Sequence, residues 1–514
     1  MTGSTTKKIL TLLLAAALPS AKLAAEVQVE YNVSVTAQAS SKSLAPYMLG
    51  SWNEGRYVEG SGIWQEASAF KPLDMRKRFD WSAGVGYLAG IGSKTEYDRW
   101  NEGTKTWGKS SDRRNAFRLT ELFGELKYRA VFLTLGMKNS HSLIVDDHLS
   151  SGDLTRSNNA SPIPGIAAGF LDFVDIPFTN GWVQINGEIM YGKMTDSEFK
   201  KREFNYYYGC LAQNLWYNYK RCYFRTNPHK NFYITIGMQA AGMFAGSNVK
   251  YRGGLIIKSE NRGFRLGDVW QMFFPREGGE NYYTGNHLGS WDFKADYRFR
   301  NGSKLSAYFE WPWEDGSGIG RMNGWDGLWG LRYDFGKKGI VSKAVVEYLD
   351  FTNQSGPIHF DPDDNPFNPL TGLAQGADDY YNSDYYGAYA NYSMSIGTPF
   401  LMAPIYNRNG CMEYLHNRAR GFHAALEGTP VEWLDYRLMV GYQTAGGSGQ
   451  YPAFKRMGTT SAMLDIRTRP LQSLRQLEFG LRMAFDKGEL RGDNFGAQLK
   501  VTYSGLFNIK KSQR

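Results

Sequence analysis

Apolar and polar residues alternate one by one along almost the whole chain, in runs of about ten residues separated by clusters of turn-forming residues. In the first run Val27, Val29, Tyr31, Val33, Val35 and Ala37 share one face, while Gln28, Glu30, Asn32, Ser34, Thr36 and Gln38 share the other. Phe79, Trp81, Ala83, Val85, Tyr87, Ala89 and Ile91 repeat the pattern, as do Val183, Ile185, Gly187, Ile189 and Tyr191. The stretch 291–300 is the most informative. Trp291, Phe293, Ala295, Tyr297 and Phe299 face one way, and Asp292, Lys294, Asp296, Arg298 and Arg300 the other. Burying one unpaired charge costs several kcal/mol, so the charged face must meet water while the aromatic face meets something apolar. Further strands are expected at Leu305, Ala307, Phe309 and Trp311; at Trp329, Leu331, Tyr333 and Phe335; at Tyr386, Ala388, Ala390, Tyr392, Met394 and Ile396; and at Leu477, Phe479, Leu481, Met483 and Phe485.

About 18 such strands, with no long amphipathic helices to cover them, predict an all-β fold: a transmembrane antiparallel β-barrel. Closure removes the sheet edges and satisfies every backbone group in lipid. The last strand, Leu499, Val501, Tyr503, Gly505, Phe507 and Ile509, resembles the terminal strand read by the barrel-assembly machinery, followed here by Lys510, Lys511 and Arg514. The joints at Asn301-Gly302 and 336–339 are short, whereas 92–115, 139–161, 246–280 and 352–384 are long and polar. One elaborate rim, or a plug, is therefore expected opposite one plain rim.

The start of the chain departs from this pattern. Lys7 and Lys8 precede an apolar stretch at 9–18 and small residues Ala21, Ala24 and Ala25, which reads as an export signal over 1–25 ahead of one barrel domain over 26–514. Ten apolar residues, roughly 15 Å of helix, cannot span a bilayer core of ~30 Å. Among 514 residues, 33 Tyr, 30 Phe, 14 Trp and 58 Gly fit aromatic girdles and a bending sheet and exclude collagen, coiled coil and disorder. The net charge of +9 falls to +6 once Lys7, Lys8 and Lys22 are removed. No basic run or stripe suggests nucleic acid. Cys210 and Cys222 are close enough in sequence to close a small loop by a disulfide, leaving Cys411 unpaired.

Several constellations could carry chemistry. Trp311, Trp313, Glu314 and Asp315 would place aromatics and paired carboxylates at one rim, able to stack on apolar sugar faces and to accept sugar hydroxyls, or else to form a girdle and a turn. Adjacent carboxylates lack the separation across a substrate that glycoside hydrolysis needs, so no enzyme is expected. Asp361, Asp363 and Asp364, and Asp146, Asp147 and His148, offer oxygen and nitrogen ligands without the spacing of a metal site, so no metal or other cofactor is expected. The inward charges Lys294, Arg298, Arg300, Glu310, Arg332 and Glu347 could bind an acidic glycan or salt-bridge a plug.

An ordered series of short motifs then appears: ELKYRAVFLTLGMK (125–138), LSSGDL (149–154), NNA (158–160), PIP (162–164), PFTNGW (177–182), NHLG (286–289), EDGSG (314–318), DGLWG (326–330), EY (347–348), NQSGP (353–357), DYYN (379–382) and IGTP (396–399). Together they resemble the capsule assembly protein Wzi family over most of the mature chain. The resemblance implies an outer-membrane β-barrel of about 18 strands whose loops close its outer mouth and which acts as a lectin-like protein holding capsular polysaccharide at the cell surface. On that reading Trp311, Trp313, Glu314, Asp315, Trp325, Asp326, Gln354, Tyr380 and Tyr381 are the candidate polysaccharide-binding residues. The expected partners are capsular or other surface polysaccharide, outer-membrane lipid and, during biogenesis, the barrel-assembly machinery, with the protein a monomer. A saccharide channel built on the same strands is the alternative.

Overall fold

A computed structural model of the chain describes residues 27–274, 285–314, 319, 321–356, 359–360, 374–375, 378–470, 474 and 476–509. The expected export signal, Asp315, Asp361, Asp363, Asp364 and the basic tail lie outside the described residues.

The strands close into one antiparallel barrel of 18 staves. In chain order they are β1 (Val27–Ser40), β2 (Gly62–Lys71), β3 (Phe79–Gly92), β4 (Phe117–Tyr128), β5 (Val131–Met137), β6 (Gly165–Phe170), β7 (Val183–Lys193), β8 (Trp216–Thr226) and β9 (Phe232–Phe244). They continue as β10 (Asn286–Arg298), β11 (Lys304–Glu314), β12 (Gly327–Asp334), β13 (Lys343–Asp350), β14 (Ala419–Val431), β15 (Leu434–Gly447), β16 (Pro452–Thr468), β17 (Leu477–Gly488) and β18 (Asn494–Ile509). A short piece, Val174–Asp175, continues the stave of β6 along β7. Each strand pairs with its sequence neighbour. The seam is closed by β1 against β18, in register from Val27 opposite Ile509 to Ser40 opposite Gly496.

Alternation sorts side chains by face as a membrane barrel requires. Ile63, Ile91, Leu135, Ile236, Leu331, Val346 and Leu499 are exposed on the outer wall, while Ser34, Thr36, Asp80, Asp292, Glu310 and Glu347 are buried inside it. No helix among the described residues is long and apolar enough to cross a membrane. This is the architecture of a bacterial outer-membrane β-barrel.

The two rims differ sharply. At the rim that holds Val27 and Ile509 the connections are short, as at 129–130, 299–303 and 432–433. At Asn301-Gly302 the chain reverses because Gly302 adopts φ +85° while Asn301 Oδ1 accepts from the Ser303 amide at 3.1 Å. At the opposite rim lie 41–61, 93–116, 138–164, 194–215, 245–285 and 351–418. Short periplasmic turns and long extracellular loops place this second rim outside the cell.

One expected strand is not formed. Tyr386, Ala388, Ala390, Tyr392, Met394 and Ile396 belong to the 351–418 loop, where Ala390–Asn391 and Met394–Ser395 pair as a miniature hairpin within this stretch. Tyr392 and Ser393 adopt φ values of 51° and 58° and reverse the chain. The expected Cys210–Cys222 bridge is not formed either. Alternation turns Cys222 outward on the β8 wall, whereas Cys210 is buried in the loops above, its thiol donating to Tyr385 O at 3.5 Å.

Candidate functional site

Four of the six inward charges, Lys294, Glu310, Arg332 and Glu347, find their partners in a loop that fills the lumen, whereas Arg298 lies over the Tyr233 ring and Arg300 is exposed in the turn at the short rim. Segment 138–164 crosses the barrel and is held by side chains of successive staves. Lys294 of β10 donates to Ile144 O at 2.6 Å, Glu310 of β11 accepts the Leu154 amide at 3.0 Å, and Glu347 of β13 accepts the Ser151 amide at 2.7 Å. Gln239 of β9 donates to both Asp153 oxygens at 3.0 Å, and His423 Nε2 of β14 lies 2.8 Å from Leu149 O. Arg332 meets Asp146 at 3.2 Å, which places that acid in an ion pair, and Asp147 lies 2.9 Å from His141. Asp146, Asp147 and His148 thus serve the plug, and no group of three metal-binding side chains occurs among the described residues.

Two further loops lie on this plug. From 351–418, Thr398 Oγ1 donates to Ser151 O and Tyr389 OH to Thr155 O, both at 2.8 Å. From 41–61, the Glu54 amide donates to Asn158 O at 3.0 Å, while the Tyr47 amide reaches Asp486 of β17 at 2.8 Å. Below, toward the short rim, a recess of about 200 Å³ is lined by Asp465, Arg467, Glu478, Arg482, Gln498 and Lys500.

The residues singled out from sequence split into two groups. Trp311 is on the opposite strand face from Glu310 and joins an outer-wall cluster, its ring 5.5 Å from Trp325 and 5.6 Å from Phe309, with Phe309 stacked on Trp329 at 3.8 Å. This is an interfacial girdle. Trp313 lies against Gly289, where a Cβ would stand 2.5 Å from the indole. Glu314, Asp326, Gln354, Tyr380 and Tyr381 do come together, but as a buried joint between the 351–418 loop and the wall. Asp326 accepts the Gln354 amide at 2.8 Å, the Asn353 amide at 3.1 Å and the Tyr380 hydroxyl at 3.1 Å; Glu314 accepts the Tyr381 amide. Burial, opposed by those three hydrogen bonds, pushes the Asp326 carboxyl up to about 6. The adjoining cavity, lined by Glu314, Tyr380 and Tyr381 among others, is only about 10 Å³, room for one water.

The surface open to a large ligand lies elsewhere on the outer rim. A hairpin of Thr95–Asn101 and Thr106–Asp112 sets Trp100 directly opposite Trp107, and Tyr207 packs 4.7 Å and 4.8 Å from them. The shelf is fixed by loop-to-loop bonds: the Trp100 amide donates to Asn205 O at 2.8 Å, the Asp98 amide to Arg408 O at 2.8 Å and the Gly254 amide to Tyr207 O at 3.0 Å. Trp107 is 43% exposed, and charged groups lie on the same hairpin: Glu102 accepts the Trp100 indole N–H at 2.9 Å and pairs with Lys105, and Lys109 pairs with Asp98. An exposed aromatic shelf rimmed by charged groups can stack on the apolar face of a sugar and bond its hydroxyls. The sequence signal for it is present in DRWNEGTKTWGK (98–109), two Trp bracketing a turn, inside a segment read only as a long loop.

No protein-family model matches the sequence, and no curated protein matches it. Among solved structures, the fold is similar to Wzi, an outer-membrane protein involved in group 1 capsule assembly in Escherichia coli and a carbohydrate-binding β-barrel, with a TM-score of 0.54 and 11% identity over 96% of this chain and 86% of that one. Acinetobacter baumannii OccAB2 aligns with a TM-score of 0.46 and 8% identity over 93% and 98% of the two chains. Pseudomonas aeruginosa OprD aligns at 0.44 and 8% over 96% and 98%.

Proposed function

We propose that this barrel is a non-catalytic outer-membrane protein that binds surface polysaccharide, capsule above all, and retains it at the cell surface. The observation that carries the reading is the conjunction of a lumen filled by one loop and covered by two others with an exposed Trp107 packed on half-buried Trp100 and Tyr207 at the outer rim. A filled lumen suits retention better than passage. The ordered motifs resembling the Wzi family point the same way, and the barrel fold shared with a carbohydrate-binding protein is compatible with it. Binding proceeds by stacking and hydrogen bonding, with no bond made or broken.

The test uses the full-length protein purified in detergent and immobilised over a sensor. Capsular polysaccharide from the same cells should bind and be displaced by its own fragments, and an unrelated neutral glucan should not. Absence of binding to any surface glycan of those cells sinks the proposal. The wet recess lined by Arg467, Arg482 and Lys500 favours a second reading, a gated saccharide channel. A steady large conductance in planar bilayers would establish that reading in its place.

A further inference from the structure

The wall of the barrel is notched at its outer rim. β4 pairs with β5 only from Leu122 opposite Met137 to Tyr128 opposite Val131, so 117–121 run past the end of β5, roughly 16 Å of strand at ~3.3 Å per residue. β6 begins opposite the same end, with Gly165 paired to Gly136. A cleft of about 530 Å³ occupies the notch, the size of a small-molecule site. One side is lipid-facing wall: Phe117, Leu119 and Leu122 are 59%, 46% and 46% exposed. The roof comes from Pro162 and Pro164 of the plug segment, Phe199 and Arg202 of helix α1 (Ser197–Glu203), and Tyr392.

The polar end of the cleft is basic. Arg114 donates to the carbonyls of Gly55 at 2.7 Å and Tyr392 at 3.3 Å, and no carboxylate lies within ion-pair distance of it among the described residues. Arg118 donates to Gly55 O and Arg56 O at 3.2 Å and 3.0 Å and stands 3.6 Å from Glu59. Arg202 is already paired with Asp112 at 2.6 Å, and Glu198, the one acid lining the cleft, with Lys201 at 2.8 Å. With Arg118 paired to Glu59, the guanidinium of Arg114, which shares the Gly55 carbonyl with it, is the cation left without a carboxylate partner, beside an apolar wall that continues into the bilayer. Guanidinium favours phosphate in paired hydrogen bonds.

We propose that the notch is a binding site for an anionic lipid of the outer leaflet, its phosphorylated head on Arg114 and Arg118 and its acyl chain along Phe117, Leu119 and Leu122. Lipid is the occupant because the apolar side of the cleft is continuous with the bilayer-facing wall and its depth, at the extracellular rim, is that of the outer-leaflet head groups. Phe199 and Tyr392 form the other wall, so the same lipid would brace the loops above the plug.

Native mass spectrometry of the full-length protein in detergent tests this. Three probes are added in turn: bisphosphorylated lipid A, the same lipid with its phosphates removed, and inorganic phosphate. Lipid A should be retained, dephosphorylated lipid at least about tenfold less, and inorganic phosphate should not displace it. Arg114→Gln should cut retention about tenfold or more, and Leu122→Trp should block it by filling the cleft from the lipid side. Folding of each variant is checked by heat-modifiable migration on gels, and Leu122→Trp decides alone if Arg114→Gln does not fold. Equal retention of both lipids, displacement by phosphate alone, or wild-type retention in Leu122→Trp would overturn the proposal.

Discussion

Arg156 of the lumen-filling loop meets Glu188 of β7 at 2.9 Å, and Arg221 of β8 reaches the other oxygen of the same carboxylate, also at 2.9 Å. One wall carboxylate thus bridges a cation of the plug and a cation of the wall, all three largely buried. Removing it leaves two guanidiniums facing each other without compensation, which costs about 3–5 kcal/mol. That cost falls on the docked plug, because undocking returns the largely buried Arg156 to water. Glu188→Ala should therefore raise intermittent conductance in planar bilayers above that of the wild type while still migrating as a folded barrel on gels. A variant whose conductance equals that of the wild type would show that the other wall contacts hold the plug without this latch.

Phe293 and Lys294 are neighbours on β10 that face opposite media. Phe293 is exposed on the outer wall between Ile236 and Phe309, whereas Lys294 turns inward and donates to Ile144 O. Phe293→Arg puts a charge into hydrocarbon and should lower the unfolding free energy in lipid by about 2–4 kcal/mol if the site is near the bilayer midplane. Lys294→Arg keeps a cation that can reach the same carbonyls and should change stability little. Equal effects in urea titrations from vesicles would contradict the assignment of faces.

The membrane-facing half of this architecture is legible in the sequence because a half-wet strand writes its environment at every second residue. Phe293 against Lys294, or Val35 against Thr36, needs no tertiary knowledge to be sorted. The same rule misleads at 386–396, where Tyr386, Ala388, Ala390, Tyr392, Met394 and Ile396 alternate by chance in a loop that is buried on all sides. There the local reversal at Tyr392 and Ser393, not the period, sets the path.

The candidate site is less legible, for a different reason. Which long loop enters the barrel depends on long-range partners such as Glu310 for the Leu154 amide, and no spacing in sequence records them. Motif words such as DGLWG and DYYN marked residues that do converge, Asp326 on Tyr380, yet convergence served burial. The aromatic shelf arises where two separate loops bring Trp100, Trp107 and Tyr207 together, and only its Trp pair is local.

Asp326 gives the joint at the outer mouth a pH dependence of known sign. Its folded pKa of about 6 exceeds the ordinary carboxyl value of ~4, so the protonated form favours the docked loop. The stabilisation is complete below about 4 and is lost as pH rises through about 6. Asp379, also raised by burial, acts in the same direction. The gel-shift midpoint on heating should rise when the pH falls from 7.5 to 5, and Asp326→Asn should reduce that rise. A wild-type midpoint that falls over this range, or an unchanged slope in Asp326→Asn, would remove Asp326 as its origin.

Two tryptophans separate glycan binding from membrane anchoring. Trp107 is exposed on the outer-rim hairpin against Tyr207, and Trp325 is exposed on the outer wall, stacked on Trp311. If the shelf receives sugar rings, Trp107→Ala removes a stacking face and should weaken polysaccharide binding by about 1–2 kcal/mol, roughly 5- to 30-fold. Trp325→Ala should leave that affinity unchanged and instead lower the barrel's stability in lipid, because the girdle ring sits at the bilayer interface. Measuring both variants against the same capsule preparation, and both in vesicle unfolding, makes the comparison internal. Loss of binding in Trp325→Ala with none in Trp107→Ala would move the glycan from the hairpin to the girdle end of β11 and β12.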